Sequence, residues 1–544
     1  MAQNLSNDVD PLYYLHNFNQ LMETISTLHL DLLRPQDLKF LEHYRQLETD
    51  AQQLYVRLIC RRANFFRLDK LTYPEIGSLD NATDLLSEHE LLKMNPNLTA
   101  IDISNLLTAK ELKAALQIKG SPTKSALTDT LISELGDTAV EHSVWQRFIP
   151  VPVLFPHYRD SLERFRLIYF GNLYQDLSQF VVSDLGIMQF ENYPLDQNTR
   201  AFNRTEDVDR YLLFDQINQQ LEDAVLPNDE QLKILLCPMY NQRLELKRNR
   251  LIKAVGQQLE RNKNLSAAAE LYASASLPPN RERHVRTLFN QQLFEQALDH
   301  CHQLAEQPLS ADEEMFCKSF TPRILRKLGG PVVRRPTEQF NSEQLVLDDD
   351  GQRVELQVIT HYRALGYDGI WCENELFNTL FGLLFWQQIF APLEGAFSHP
   401  YQQAPLDFNS PAFSQRRHRL FQNRLQQLHK VNLLEEIAGQ YSEHLGIANP
   451  FINWKRCDPA HISLLCQRIP QHKLLMIMEK ICFDPQAYRS GFPDLFLWHS
   501  ASDDYLLVEV KGPGDQLQNS QKRWLRLFDS FGIQYQISWV TRPT

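Results

Sequence analysis

The stretch GFPDLFLWHSASDDYLLVEVKGP, residues 491–513, decides how this chain is read. Two apolar runs, DLFLW (494–498) and YLLVEVK (505–511), flank the polar HSASDD (499–504), which has the composition of a turn. The second run is apolar up to Glu509, as in a strand buried on both faces. Residues two apart in a strand share a face, so Glu509 and Lys511 point one way and Val510 the other. An offset of fifteen residues lets a hairpin set Asp494 beside Glu509. Two carboxylates buried together repel, and burial raises the cost. A divalent cation between them removes it, and oxygen ligands suit Mg²⁺ or Mn²⁺. The Val510 carbonyl can add a further ligand. Lys511 would then stand where it can orient an attacking water or stabilise a phosphate. The plainer alternative is a structural ion pair at a strand end.

Around this stretch the pattern is that of a small α/β unit. GPG (512–514) ends the second strand, and Asp515, with Gln518 three residues on, is expected to cap the next helix. That helix carries Leu517, Gln521, Trp524 and Phe528 on one stripe, and IQYQISWV (533–540) is a last strand. Upstream, GYDGIWCENELFNTLFGLLFW (366–386) leads into a helix expected to begin at Glu373. The order helix, strand, strand, helix, strand predicts a small mixed sheet flanked by helices over residues 361–544. Within it, PAFSQRRHRLFQNRLQQLHK (411–430) has five Lys or Arg and no acidic residue.

The 544 residues exceed one core, so several domains are expected. A net charge of −12 does not advertise nucleic-acid binding, but only a local basic surface is needed. The start of the chain lacks the pattern of a signal peptide. The longest apolar stretch, 376–393, is broken by Asn and Gln and reads as a buried helix rather than a membrane span. Eight cysteines contain no CxxC pair, so no zinc finger is expected.

Residues 1–75 read as aromatic-rich helices ending in Arg57, Arg61, Arg62, Arg67 and Lys70 interleaved with Phe65 and Phe66, a composition suited to nucleic acid. In 76–140, LLTAKELKAALQIKGSPTKSALTDTLI (106–132) reads as a helical hairpin with a Thr108/Glu111 capping box and a seam of Leu112, Leu116, Leu127 and Leu131. It resembles the SAP module, a two-helix DNA-binding element, and the resemblance places Lys113, Lys119 and Lys124 near phosphates. Residues 141–360 read as a degenerate, tetratricopeptide-like helical stack. Its basic cluster, including Arg248 and Arg250, is a candidate DNA groove.

The motifs G-x-P-D-L-x-x-W, L-V-E-V-K-G-P-x-D-x-L and Q-x-x-W resemble the VRR-type nuclease domain of the PD-(D/E)XK superfamily. With the SAP-like hairpin, the stack and LYVRLICRRANFFRLDKLTYPEI (54–76), the chain resembles the Fanconi-associated nuclease family in a bacterial-type version. The resemblance implies a structure-selective, metal-dependent DNA nuclease. It implies cutting of 5′ flaps and branched DNA, 5′–3′ exonuclease activity, and a role in interstrand-crosslink repair. It carries metal ligation to Asp494, Glu509 and the Val510 carbonyl, and catalysis to Lys511 with Gln521. It adds a third carboxylate at Glu373, with Glu375 as the alternative. Ser520 stands where a basic residue can precede Q-x-x-W, which leaves Arg489 and Lys522 as candidates for a 5′-phosphate pocket. The partner expected is branched or 5′-flap DNA, with no membrane and no ubiquitin-binding zinc finger. The expected location is the cytoplasm, on the nucleoid, if the source is bacterial, and the nucleus if it is eukaryotic. Two other readings are a four-way junction resolvase and a catalytically silent DNA-binding scaffold.

Overall fold

Leu112, Leu127 and Leu131, spaced at helical intervals, are buried together with Trp145 and Ile149, and this small core organises the SAP-like hairpin. Its helices are Ala109–Ala115 and Lys124–Leu135. The Thr108 hydroxyl accepts the Glu111 N–H at 3.2 Å, and the Glu111 carboxylate accepts the Thr108 N–H at 2.8 Å, the capping box expected from the sequence. The same carboxylate pairs with Arg67 at 2.9 Å, fixing the hairpin to the preceding segment. These hydrogen bonds, those from Thr108 first, hold the Glu111 carboxyl down at about 2. Three short strands, β1 (Phe66–Arg67), β2 (Leu92–Met94) and β3 (Val153–Pro156), form an antiparallel sheet with β3 in the middle.

The computed structural model describes residues 12–175, 188–331 and 338–543. They fall into two compact units: Met1–Ile187 with Phe202–Val208, and Met188–Ala201 with Asp209–Thr544. The hairpin and the three-stranded sheet belong to the first.

The second unit begins with the helical stack. Helices Gln242–Arg261, Leu265–Ala273, Asn280–Asn290, Phe294–Glu306 and Ala311–Lys327 each pack on the one before. Gly256 permits the first of these contacts, because a Cβ there would meet the Tyr272 ring at 2.5 Å. The five-stranded sheet follows, in the order β4 (Ser342–Val346), β8 (Tyr535–Thr541), β7 (Tyr505–Lys511), β6 (Leu495–His499), β5 (Tyr367–Trp371). The β5–β6–β7 pairs are antiparallel and the β7–β8 and β4–β8 pairs parallel, the mixed sheet that the sequence predicts. β4 lies upstream of residue 361, and the opening helix Val354–Ala364 begins upstream of it.

Alternation along the strands feeds two cores. Leu495, Leu497, Val508 and Val510 face Val358, Ile359 and Tyr362 of the opening helix. Phe496, Leu507 and Ile537 face Trp524, Leu525 and Phe528 of the closing helix Asn519–Phe531. The closing helix starts later than the sequence suggested. Asp515 does not cap it; its carboxylate accepts the Gly512 N–H at 2.9 Å and closes the turn after β7. With Gly514 at φ +87° the chain is still turning there, and Gln518 becomes the cap, its N–H bound by the Gln521 side chain at 2.8 Å. The apolar stretch at 376–393 is a buried helix, Glu375–Leu384, with a short one after it. Among the described residues no helix is long and apolar enough to cross a membrane.

Candidate metal-dependent active site

The β6–β7 hairpin pairs Leu495 with Val508, so Asp494, one residue before β6, stands opposite Glu509. The Asp494 carboxylate accepts the Val510 N–H at 2.8 Å. Glu509 is 1% exposed; the Lys511 ammonium lies 2.8 Å from its carboxylate, and the Gln521 amide donates to it at 2.5 Å. The turn before Asp494 is seated on the closing helix. Gly491 has φ +88° and approaches Ser520 so closely that a Cβ would lie 2.6 Å from its carbonyl carbon. Phe492 stacks on Trp524 with centroids 4.2 Å apart. The Q-x-x-W pair thus serves twice: Gln521 orients Glu509, and Trp524 holds the chain that carries Asp494.

The electrostatics are those of unmatched carboxylates. Burial, and then the neighbouring Asp494 charge, push Glu509 up to about 8 against the pull of Lys511. Burial also raises Asp494 to about 6, opposed by the Val510 N–H and Lys511 and reinforced by the charges of Glu355 and Glu373. One ammonium therefore faces an excess of buried negative charge. Hard oxygen donors in that condition fit a divalent cation. Among the described residues no three His, Cys, Asp or Glu side chains are gathered closely enough to form a ready-made cage. Of the ligands expected from the sequence, the structure sets Asp494 and Glu509 opposite each other.

Three glutamates compete for the role of third carboxylate. Glu373 is not in a helix, as expected from sequence, but in the turn after β5 with a left-handed φ of 43°; the helix begins at Glu375 behind the cap Asn374. The N–H groups of Cys372 and Glu373 donate to the Asp494 carbonyl at 2.9 and 3.0 Å, which pins this turn to the site. Glu375 is turned toward Arg456, with which it pairs at 2.8 Å. Glu355, in the first turn of the opening helix, was missed, yet its charge acts on Asp494 ahead of that of Glu373. A signal was available. The opening helix runs into β5 through a two-residue link, so its start lies at the far end of β5, beside Asp494. The Arg353 guanidinium 4.7 Å over the Trp371 ring shows that juxtaposition.

The expected DNA contacts divide. Arg248 is corrected: it is fully buried, bound to both Glu245 oxygens at 2.7 and 2.8 Å and to the Leu235 carbonyl, and no nucleic acid can reach it. A helix inside a stack buries one side of its basic run, and sequence does not say which. Arg250, Lys119 and Lys124 are exposed, and the Lys113 ammonium donates to the Gly120 carbonyl. The Arg489 guanidinium lies 5.3 Å over Phe408, and Lys522 is half-buried on the closing helix next to Gln521. In the first unit, Arg61, Arg62, Arg159 and Arg166 line a cleft of about 800 Å³ with Tyr14 and Tyr174. Arg57 in the same cleft pairs with Glu75 at 2.7 Å and lies 3.7 Å over the Tyr14 ring.

A mixed sheet with a buried Glu, a partly buried Asp opposite it and a buried lysine at its strand ends is the architecture of a nuclease. The VRR-NUC domain family matches residues 429–541, and the family described as FAN1, HTH domain matches residues 12–93. The chain is 33% identical over 531 residues to the Fanconi-associated nuclease 1 homolog of Pseudomonas aeruginosa, covering 95% of this chain and 93% of that protein. It is 23% identical to Fanconi-associated nuclease 1 of Homo sapiens, covering 97% of this chain and 62% of that one. The crystal structure of paFAN1 bound to 2nt 5′flap DNA with gap matches with a TM-score of 0.84 and 32% identity over 98% of this chain and 99% of that one. The chain belongs to the Fanconi-associated nuclease 1 family, and it is a structure-specific DNA nuclease.

Proposed function

We propose that the protein hydrolyses phosphodiesters at 5′ flaps and related branches in DNA, with 5′–3′ exonuclease activity, using Mg²⁺ or Mn²⁺, in repair of lesions such as interstrand crosslinks. The observation that carries the metal chemistry is the register that sets Asp494 opposite Glu509, with a single ammonium, that of Lys511, 2.8 Å from Glu509. The flap DNA held by the similar paFAN1 supports the substrate class.

Asp494, Glu509 and the Val510 carbonyl hold the cation, with Glu355 or Glu373 completing the set. A divalent cation there neutralises charge on the phosphate and makes water a better nucleophile. Lys511, 2.8 Å from Glu509, is placed to orient that water and to stabilise the developing charge. Gln521 positions Glu509 by its amide. Exposed Lys119, Lys124 and Arg250 and the arginine cleft of the first unit hold phosphates and so read shape rather than base sequence. Arg489 and Lys522 are the candidates for a terminal phosphate.

The test uses a labelled 5′-flap duplex with Mn²⁺, Mg²⁺ or chelator. Cleavage is expected only with metal and is expected to vanish in Asp494→Ala. Full activity of that variant, or cleavage in chelator, overturns the proposal.

A further inference from the structure

β5 is an edge strand of the sheet, and beside its C-terminal end lies a cavity of about 480 Å³. The opening helix, the helix Glu375–Leu384 and the helix Pro459–Arg468 close around it. Neither Asp494 nor Glu509 lines this space. Cys372 does, and its N–H donates to the Asp494 carbonyl, so the cavity and the carboxylate pair share a wall one residue thick.

The lining is mixed, and Glu375 and Asp458 add carboxylates to it beside the apolar and basic residues. Ile359, Leu376 and Ile462 make an apolar floor, while Arg363 and Arg456 stand at the rim. Trp371, also in the lining, carries the Arg456 guanidinium 5.0 Å over its ring and the Arg353 guanidinium at 4.7 Å. Alternating ring and guanidinium planes are the surface on which unpaired bases stack. The rim arginines are paired in partly exposed positions, Arg363 with Asp368 at 3.0 Å and Arg456 with Glu375 at 2.8 Å, where water screens the attraction. A phosphate diester can take either guanidinium in exchange. The volume suits one nucleotide and excludes a duplex.

We propose that this cavity receives a single unstacked nucleotide of the cleaved strand, the one flanking the scissile phosphate, with its base over the apolar floor and its phosphate against Arg456 and Arg363. The inference rests on the nuclease reading above and adds a subsite to it. It gives a physical reason for cutting at branches, where a nucleotide next to the cut can leave the stack at least expense.

The probe is a 5′-flap duplex with 2-aminopurine at each position flanking the cut in turn, bound in chelator so that nothing turns over. Wild type is expected to change the 2-aminopurine emission at one flanking position. Thr360→Trp, which fills the cavity from an exposed position on the opening helix, and Arg456→Gln are expected to bind the duplex without that change. In Mn²⁺ the same variants are expected to raise KM about tenfold, the effect of losing one stacked base, with kcat within about twofold of wild type. Circular dichroism confirms that both are folded. Emission that changes at no flanking position, or variants that match wild type in both emission and KM, overturn the subsite. Failure of the nuclease reading looks different: wild type then leaves the flap uncut in Mn²⁺, while the chelator experiment still reports on the cavity.

Discussion

Two buried ionic clusters in the second unit titrate in opposite directions. In the helical stack, burial works against the Glu245 charge, but Arg248, the Ser276 hydroxyl and the Met239 N–H overcome it and hold the carboxyl down at about 2. At the strand ends, Glu509 is more deeply buried, shares one ammonium with Asp494, and rises to about 8. Both are hydrogen-bonded carboxylates beside a cation. The difference is the count of opposite charges: the stack cluster is matched, and the sheet cluster carries an excess that a cation from outside can relieve. In these two clusters the direction of the shift follows the balance of charge around the acid.

The sharpest way to break this comparison is to neutralise each acid or its partner. Glu509→Gln is expected to lower flap cleavage on the order of a thousandfold or more, while leaving the melting temperature of the metal-free protein unchanged or higher. Arg248→Ala should do the reverse, lowering stability by about 3–5 kcal/mol in urea melts because Glu245 keeps its Ser276 and Met239 hydrogen bonds but loses its cation, with cutting reduced only as far as folding is. A Glu509→Gln protein that melts far below wild type would collapse the distinction.

The pH dependence sharpens it further. Glu245 has a folded value below its ordinary 4.5, so its contribution is present above 4.5 and is lost as pH falls toward 2. Glu509 has a folded value above its ordinary 4.5, so the native state holds the extra proton and stability falls as pH rises from about 4.5 toward 8. Metal-free protein is therefore expected to melt progressively lower between pH 5 and 8, and Glu509→Gln to flatten that slope. Saturating Mn²⁺, which binds the deprotonated pair, should remove it as well. Calorimetric scans with and without chelator check all three.

Smaller effects decide the third carboxylate. Glu355→Gln and Glu373→Gln are each expected to weaken Mn²⁺ binding by about 10- to 100-fold in titration calorimetry, as supporting ligands do, and Glu375→Gln to change it little because that side chain is held by Arg456. The greatest loss at Glu375 would reverse the assignment. Smallest of all, replacing Lys119 and Lys124 with Ala should lower the salt dependence of flap binding by about one unit of slope per lysine, without a change in kcat.

Much of the candidate site was legible because strand geometry is periodic. The offset between Asp494 and Glu509 gives their pairing, and the two-residue repeat puts Lys511 on the face of Glu509, as the register and the 2.8 Å contact show. Local caps were legible where the box closes within one turn, as at Thr108 and Glu111. They failed at Asp515, where a glycine-rich turn consumed three more residues before the helix began. Arg248 was misplaced because a helical basic run looks the same whichever side the stack buries.

The sequence by itself determined the mixed sheet, the carboxylate pair with its lysine, and the helical modules before them, because each depends on periodicity or on residues close along the chain. Only the tertiary structure decided that Glu355 and Glu373 both act on Asp494 while Glu375 turns to Arg456, that Arg248 is a strut, and that a nucleotide-sized cavity shares a wall with the site. The first of these joins elements more than a hundred residues apart, as Glu355 and Asp494 are, and no local pattern carries the direction in which such elements meet.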